Sequence, residues 1–186
     1  MGESGAGPDP PDLSASQPGP LCAMTPPLVD APPDTAGPSC PICGLQADPL
    51  AWQADGIARF GIGWVLRHHP APAPLLGWLL LDSGRHLGGP ADFNEAEAAT
   101  FGEALRRSCA LVRQLTGCER VYAIAFGEGA PHLHVHLIPR HGAEAASKAW
   151  RVADLYRAVE AGERPAADPA AVAALVARAR RQTAAW

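Results

Sequence analysis

The stretch His132-Leu133-His134-Val135-His136-Leu137-Ile138 decides how this chain is read. Its alternation predicts a strand, residues 132–138, because successive side chains on a strand point to opposite faces. His132, His134 and His136 then share one face, about 6.6 Å apart along the strand, while Leu133, Val135 and Leu137 turn into the core. A single strand histidine is usually a satisfied polar residue. Three at period two make a poor core and an odd surface, so the row points to chemistry. Three explanations compete: a metal site, since imidazole is a common zinc ligand; a catalytic set with one nucleophile and its helpers; or an anion site without chemistry. Neutral imidazole attacks phosphorus readily, and charged neighbours stabilise the equatorial oxygens of the transferred group. Arg140, just past the strand, adds positive charge there.

Working outward, residues 119–126 read as a strand and residues 127–131 as a tight loop before the histidines. Upstream, Asn94 opens the clearest helix, with Glu97 three residues on in a capping-box pattern. Phe101, Leu105, Val112 and Leu115 form its apolar stripe, and Gly117 ends it. Residues 75–81 are a short apolar run, read as a buried strand, after which residues 82–86 leave the sheet. The proline-rich residues 70–74 are a loop, and residues 57–67, with Gly61 and Gly63, form a strand or hairpin. Downstream, Val152, Leu155, Tyr156 and Val159 predict one helix. Val172, Leu175, Val176 and Ala179 predict another, capped by Asp168 with Pro169 at its first position. The order predicts an α+β domain, an antiparallel sheet with helices on one side, followed by a C-terminal helical extension.

Residues 1–38 hold ten of the twenty prolines and few large apolar side chains. They are read as a disordered segment, since such a sequence cannot offset its ordering entropy. Met24 within it is an alternative translation start. The domains expected are therefore 1–38 disordered, 39–145 catalytic and 146–186 helical. The 47% hydrophobic content is enough for a core, although alanine inflates it. The net charge of -4 argues against a nucleic acid polymer as partner. No secretory signal or membrane span is evident, so a reducing cytoplasm is expected. The five cysteines are then thiols rather than a disulfide framework.

Cys40-Pro41-Ile42-Cys43 has the spacing of a zinc half-site. A redox pair and two unremarkable thiols are the alternatives, the first lacking the thioredoxin-like order of strand then helix. Two further ligands are needed, and His86, on the loop after a strand, is a candidate.

The row from His132 to Ile138, with Pro139-Arg140 after it, resembles the histidine triad family, whose pattern is His-φ-His-φ-His-φ-φ with φ apolar. The resemblance covers about residues 39–141 and includes the early Cys-x-x-Cys. It implies a small α+β domain that pairs into a homodimer. It also implies hydrolysis or transfer of nucleoside monophosphates, often from dinucleoside polyphosphates or nucleoside phosphoramidates. Carried over by position, His134 is the nucleophile that forms a nucleotidyl-histidine intermediate. His136 binds the phosphate and helps charge separation, and His132 orients the nucleophile through its carbonyl or its ring. The zinc-bearing branch implies a structural Zn2+ on Cys40, Cys43, His86 and His132. A nucleotide-binding or sensing module with little turnover is the alternative function.

The chain departs from the family in the loop before the triad. Glu128 stands where many members carry glutamine, and a carboxylate repels phosphate unless protonated or paired. It therefore recognises an amine or hydroxyl of another leaving group, donates a proton, or is solvated and idle. Ala130 and Pro131 offer no loop hydroxyl. The family's ribose- and phosphate-binding asparagine is not evident, and Arg67, His68 and His69 stand in its neighbourhood. His68 and His69 are read as exposed loop histidines, Cys109 and Cys118 as small buried apolar residues. The tryptophans are read as packing groups, with Trp150 or Trp186 able to cover a base.

Overall fold

The computed structural model describes residues 40–127 and 129–186. The N-terminal segment and Glu128, on which two of the sequence expectations rest, lie outside them. Five strands form one antiparallel sheet: β1 (Gly56–Phe60), β2 (Trp64–His68), β3 (Leu79–Ser83), β4 (Arg120–Ala125) and β5 (His134–Arg140), in the order β1-β2-β3-β5-β4. Residues 57–67 thus form a hairpin. The helices are α1 (Pro41–Ala47), α2 (Pro49–Asp55), α3 (Glu95–Thr116), α4 (Val152–Glu160) and α5 (Pro169–Thr183). This is the expected α+β architecture. No helix among the described residues is long and apolar enough to cross a membrane.

The long helix α3 begins and ends where its sequence says. The Asn94 carboxamide accepts from the Glu97 N–H at 2.8 Å, and the Glu97 carboxylate accepts from the Asn94 N–H at 2.9 Å. Gly117 closes it in the left-handed conformation, φ 67°, which favours glycine. The buried face is Ala104, Ser108, Leu111, Val112 and Leu115. Phe101 and Leu105 are only partly buried at its border.

Cross-strand register separates the two faces of the sheet. Leu66, Leu79, Leu81, Val135 and Leu137 face α3 and α5 in the larger core, where Leu175, Val176 and Ala179 of α5 also pack. The opposite face pairs Arg67 with Leu80, Leu80 with His136, and Asp82 with His134. There Trp78, Leu80 and Ile138 pack against Val152, with Tyr156 of α4 at the border. Helices therefore cover both faces, and α4 sits on the histidine side rather than joining the others.

Several boundaries differ from the sequence reading; β5 runs over His134–Arg140, so His132 stands just before the strand instead of on it. β3 starts at Leu79 because residues 75–77 are a turn: the Trp78 N–H donates to the Leu75 carbonyl, and Gly77 has φ 79°. Short helices α1 and α2 were not anticipated; each opens on a proline at its first turn, but seven residues are too few to display a helical period.

Gly77 is tightly placed. A Cβ there would lie 2.2 Å from the Thr116 methyl, and its N–H donates to His68 Nε2 at 3.0 Å. Gly77→Ala is expected to lower the unfolding free energy by about 2–4 kcal/mol, from left-handed strain plus overpacking. Urea denaturation checks this, and a loss below about 0.5 kcal/mol, the level of an ordinary surface change, would contradict it.

Candidate metal centre and histidine pocket

His132 stands just before β5 and is 1% exposed. Its Nδ1 lies 3.6 Å from Cys40 Sγ and 3.4 Å from Cys43 Sγ, and His86 Nδ1 lies 3.5 Å from Cys43 Sγ. The four ligand atoms all lie within 4.8 Å of one another. A tetrahedral ion with Zn–S of about 2.3 Å and Zn–N of about 2.05 Å gives S···N edges of about 3.6 Å. The observed distances match those edges, so the residues present fit a metal ion of that size.

The surroundings hold the ligands in place. The His132 Nε2–H donates to the Ser83 carbonyl at 2.8 Å, leaving Nδ1 unprotonated for a metal, as an outer partner of a ligand histidine should. Gln46 of α1 donates to the same carbonyl at 3.0 Å. The Arg85 guanidinium makes two bonds to the Glu97 carboxylate, 3.0 and 2.8 Å, so the capping box of α3 also anchors the loop that carries His86. The cysteine pair opens α1, with Cys40 at its N-cap. No strand among the described residues precedes it, so the thioredoxin-like order is absent there.

The backbone of His132 does something else. Its carbonyl accepts from His134 Nδ1–H at 2.6 Å. This fixes the His134 tautomer and leaves its Nε2 with the lone pair. The His132 carbonyl thus holds the His134 ring through this hydrogen bond.

His136 is set the other way. Trp78, 1% exposed, donates its indole N–H to His136 Nδ1 at 3.0 Å. An indole is a donor only, so the His136 proton sits on Nε2. Burial, with His134, His69 and Arg67 adding like charge, pushes the His136 pKa down to about 3. The residue is therefore a neutral N–H donor, not an imidazolium.

His68 and His69 are buried, 0% and 7% exposed, which corrects their reading as exposed loop residues. His68 belongs to β2. It donates from Nδ1 to the His69 carbonyl at 2.8 Å and accepts at Nε2 from Gly77, so both its nitrogens are used internally. His69 donates from Nδ1 to the Pro70 carbonyl at 2.8 Å. Burial, opposed by that hydrogen bond and assisted by Arg67, His68 and His134, holds its pKa at about 4.

A pocket of about 500 Å3 opens over this face, within the size range of small-molecule sites, about 300–1,000 Å3. β5 supplies His134 and His136, β2 and its following turn supply Arg67 and His69, β3 supplies Leu80, and Trp78 stands just before β3. Ile42 and Leu45 of α1 form one wall, and Ala153, Tyr156 and Arg157 of α4 another. Arg67 is paired with the fully buried Asp82, Nε to Oδ2 at 2.6 Å. Arg140 lies elsewhere: it bonds the Ser147 hydroxyl at 3.2 Å and lines a separate depression with Arg120, Lys148 and Trp150. Trp150 is 94% exposed, and Trp186 packs against Phe60 with ring centroids 5.0 Å apart. Neither lines the pocket. Arg67, Trp78 and Tyr156 were not assigned to the site from sequence. The available signal was opposite charge in two apolar strands, Arg67 in β2 and Asp82 in β3, which marks a buried pair.

No protein-family model matches the chain, and no curated protein matches it. Solved structures do. A histidine triad protein from Bradyrhizobium japonicum is similar over 72% of this chain and 94% of its own, at 23% identity and a TM-score of 0.53. A hypothetical histidine triad nucleotide-binding protein from Sulfolobus tokodaii is similar over 76% and 90%, at 14% identity and a TM-score of 0.53. A Hit-like protein involved in cell-cycle regulation from Bartonella henselae is similar over 69% and 85%, at 11% identity and a TM-score of 0.50. The chain has the histidine triad fold.

The buried histidines make stability pH-dependent. The folded pKa values of His69 and His136, about 4 and about 3, lie below the unfolded value of about 6.5. As pH falls below about 6.5 the unfolded chain takes up protons that the folded chain refuses. The stability present above that pH is lost towards the folded values. Urea unfolding at about pH 7 and about pH 5 should differ by at least about 2 kcal/mol, given about 1.4 kcal/mol per pH unit for each such group. Equal stability at the two values would contradict neutral burial of these rings.

Proposed function

We propose that the protein is a nucleotide hydrolase or nucleotidyltransferase that acts at an α-phosphate through His134. One observation carries the reading: the His132 carbonyl accepts a hydrogen bond from the Nδ1–H of His134 and leaves Nε2 with its lone pair on a ring that lines the pocket. The histidine triad fold, and its likeness to the hypothetical histidine triad nucleotide-binding protein of Sulfolobus tokodaii, support it.

In the first step His134 Nε2 attacks the α-phosphorus, the N–P bond forms, and the bond to the leaving group breaks with its electron pair. The ring becomes cationic, and the His132 carbonyl at 2.6 Å stabilises that charge through a charge-assisted hydrogen bond. The neutral His136 Nε2–H donates to a non-bridging oxygen, a role for His136 in phosphate binding rather than in carrying charge. Arg67 adds positive potential on the same face. In the second step water, or another acceptor hydroxyl, attacks phosphorus. Its proton leaves to solvent or a base, and the electron pair returns to Nε2. A dinucleoside polyphosphate-like or nucleoside phosphoramidate-like compound supplies the α-phosphate, small enough for the pocket. Glu128, outside the described residues, is the proposed contact for the leaving group. Arg140 lies too far along β5 for direct phosphate contact and is at most a peripheral anion contact.

The metal assigned to Cys40, Cys43, His86 and His132 is zinc, in a structural role. With two thiolates and two imidazoles it has no open position, so its chemistry is to tie α1 and the His86 loop to the catalytic strand. Free thiols at Cys40, Cys109 and Cys118 suit a reducing cytoplasm. A homodimer is assigned through β4, one of the sheet's two edge strands, with partly exposed side chains, since an open edge is a template for a second copy.

His134→Ala should reduce turnover of an accepted nucleotide by at least about a thousandfold, the scale of losing a nucleophile, while bound zinc, measured by atomic emission, stays near one per chain. Cys40→Ala should lose the zinc. Activity retained in His134→Ala would remove His134 from the mechanism. Zinc lost in His134→Ala and kept in Cys40→Ala would instead favour a metal site on the triad. Wild-type binding without turnover would favour the sensing module.

A further inference from the structure

We propose that the depression at the start of β4 is a second ligand site, separate from the histidine pocket, that takes a free nucleotide with its phosphate on Arg120, Arg140 and Lys148 and its base on Trp150. The proposal does not rest on the catalytic reading above, because the two cavities share no lining residue.

The register of the sheet concentrates the charge. Residues directly opposite each other in an antiparallel pair leave the same face, and like charges set opposite are destabilising. Arg120 and Arg140 are such partners across β4 and β5, and Lys148 adds a third cation to the depression. None of the three joins an ion pair among the described residues. Glu119 is the one carboxylate in the lining, and its Oε1 already accepts from the Gly142 N–H at 3.0 Å. On a chain of net charge -4 this cluster is not part of a generally basic surface. An anion relieves the repulsion that the fold builds in.

The frame around the cations is held in place. Arg140 donates from Nη1 to the Ser147 hydroxyl at 3.2 Å, which leaves further guanidinium N–H donors for a ligand. Ser147 is fully buried, and its hydroxyl also accepts from the His141 N–H at 3.1 Å. The connection from β5 to α4, which carries Lys148 and Trp150, is anchored there. Trp64 and Trp78 are buried, Trp52 lies under Arg59, and Trp186 packs on Phe60 and Arg107. Trp150 alone among the tryptophans has no ring contact among the described residues, and it lines the depression almost fully exposed.

A bare phosphate leaves the indole unused, and an uncharged ring leaves the cations unused. A nucleotide uses both: guanidinium groups match phosphate oxygens, and an indole stacks on a base whatever its identity. The depression holds about 390 Å3, within the range of small-molecule sites. It lies on the histidine face, since Arg120 and Arg140 share the parity of Tyr122 and Ile138, which pack on that side. Arg140 is four residues beyond His136, about 13 Å along the strand. Ile138, between them, is fully buried and packs with Val152 at the start of α4, so α4 stands between the two cavities. A second copy paired along β4 meets its backbone edge, whereas these side chains leave the sheet face.

The test is titration of the full chain with adenosine 5′-monophosphate, followed at the indole N–H resonance of Trp150, which is assigned by its loss in Trp150→Phe. The resonance should shift saturably, and the same curve, within about twofold, should be seen in His134→Ala, which separates this site from the histidine pocket. Adenosine should bind at least about tenfold more weakly, the effect of losing charge-assisted hydrogen bonds to phosphate. Inorganic phosphate should displace the nucleotide, with an affinity about tenfold lower for want of stacking. Arg120→Gln with Lys148→Gln should weaken the nucleotide by at least about tenfold, with an unchanged melting temperature showing that the variant folds. The comparison of nucleotide with nucleoside in wild type decides the matter even if that variant does not fold. An unmoved or unsaturable Trp150 resonance, equal affinity for adenosine, no competition by phosphate, or full affinity in the folded double variant would overturn the proposal. A 5′-phosphorylated oligonucleotide bound more than about tenfold tighter than the mononucleotide would also overturn it, because the depression would then take a nucleic acid strand through further phosphate contacts. The catalytic reading stands or falls separately, on turnover through His134.

Discussion

His132 is the point at which the two halves of the site meet. Its ring faces the two cysteines and His86 and hydrogen-bonds the Ser83 carbonyl, while its own carbonyl holds the His134 ring. A displacement of this one residue is felt on both sides. The cage sets the position of the residue, the residue sets its carbonyl, and the carbonyl sets which nitrogen of His134 is bare. The orientation of the His134 ring thus extends back to α1 and to the Arg85–Glu97 pair that anchors the His86 loop.

The same residue type is given different work by its partners. A carbonyl at Nδ1 makes His134 and His69 bare at Nε2, and an indole N–H at Nδ1 makes His136 a donor there. His68, between a carbonyl and the Gly77 N–H, is left with no free nitrogen. Burial keeps His69 and His136 neutral, so these roles persist at physiological pH. The buried Arg67–Asp82 pair fixes the Arg67 guanidinium on this face; removing either partner strands the other, a loss of about 3–5 kcal/mol.

Much of this was legible in the chain. Period-two histidines place His134 and His136 on one face with Leu133, Val135 and Leu137 behind them, because a strand has only two faces. Asn94 with Glu97, and Asp168 with Pro169, mark helix starts through local chemistry that needs no tertiary context. The Cys40–Cys43 spacing and His86 found their way to His132 through the family resemblance. What escaped was set by long-range packing. His68 and His69 precede a proline run and read as a loop, yet β2 extends through His68, and the turn then places His69 against Trp78 and Tyr156. Trp78 lies within the apolar run 75–81 and reads as a packing group; its indole N–H matters only because His136 lies 58 positions away in sequence and 3.0 Å away in space. The sequence period of α4 identifies its apolar stripe but not which side of the sheet it covers. Arg140 follows the triad directly, but side chains along β5 advance with the strand, and it ends beside Ser147.

The most direct test of the account is the fate of His134 during turnover. Full-length protein mixed with a turned-over nucleotide, quenched within the first cycle under alkaline conditions that preserve phosphoramidates, is analysed by intact mass and peptide mapping. The account predicts one added nucleoside monophosphate per site, carried on His134. An adduct on another residue, or turnover that inverts configuration at a chiral α-phosphorus with no adduct formed, would contradict it.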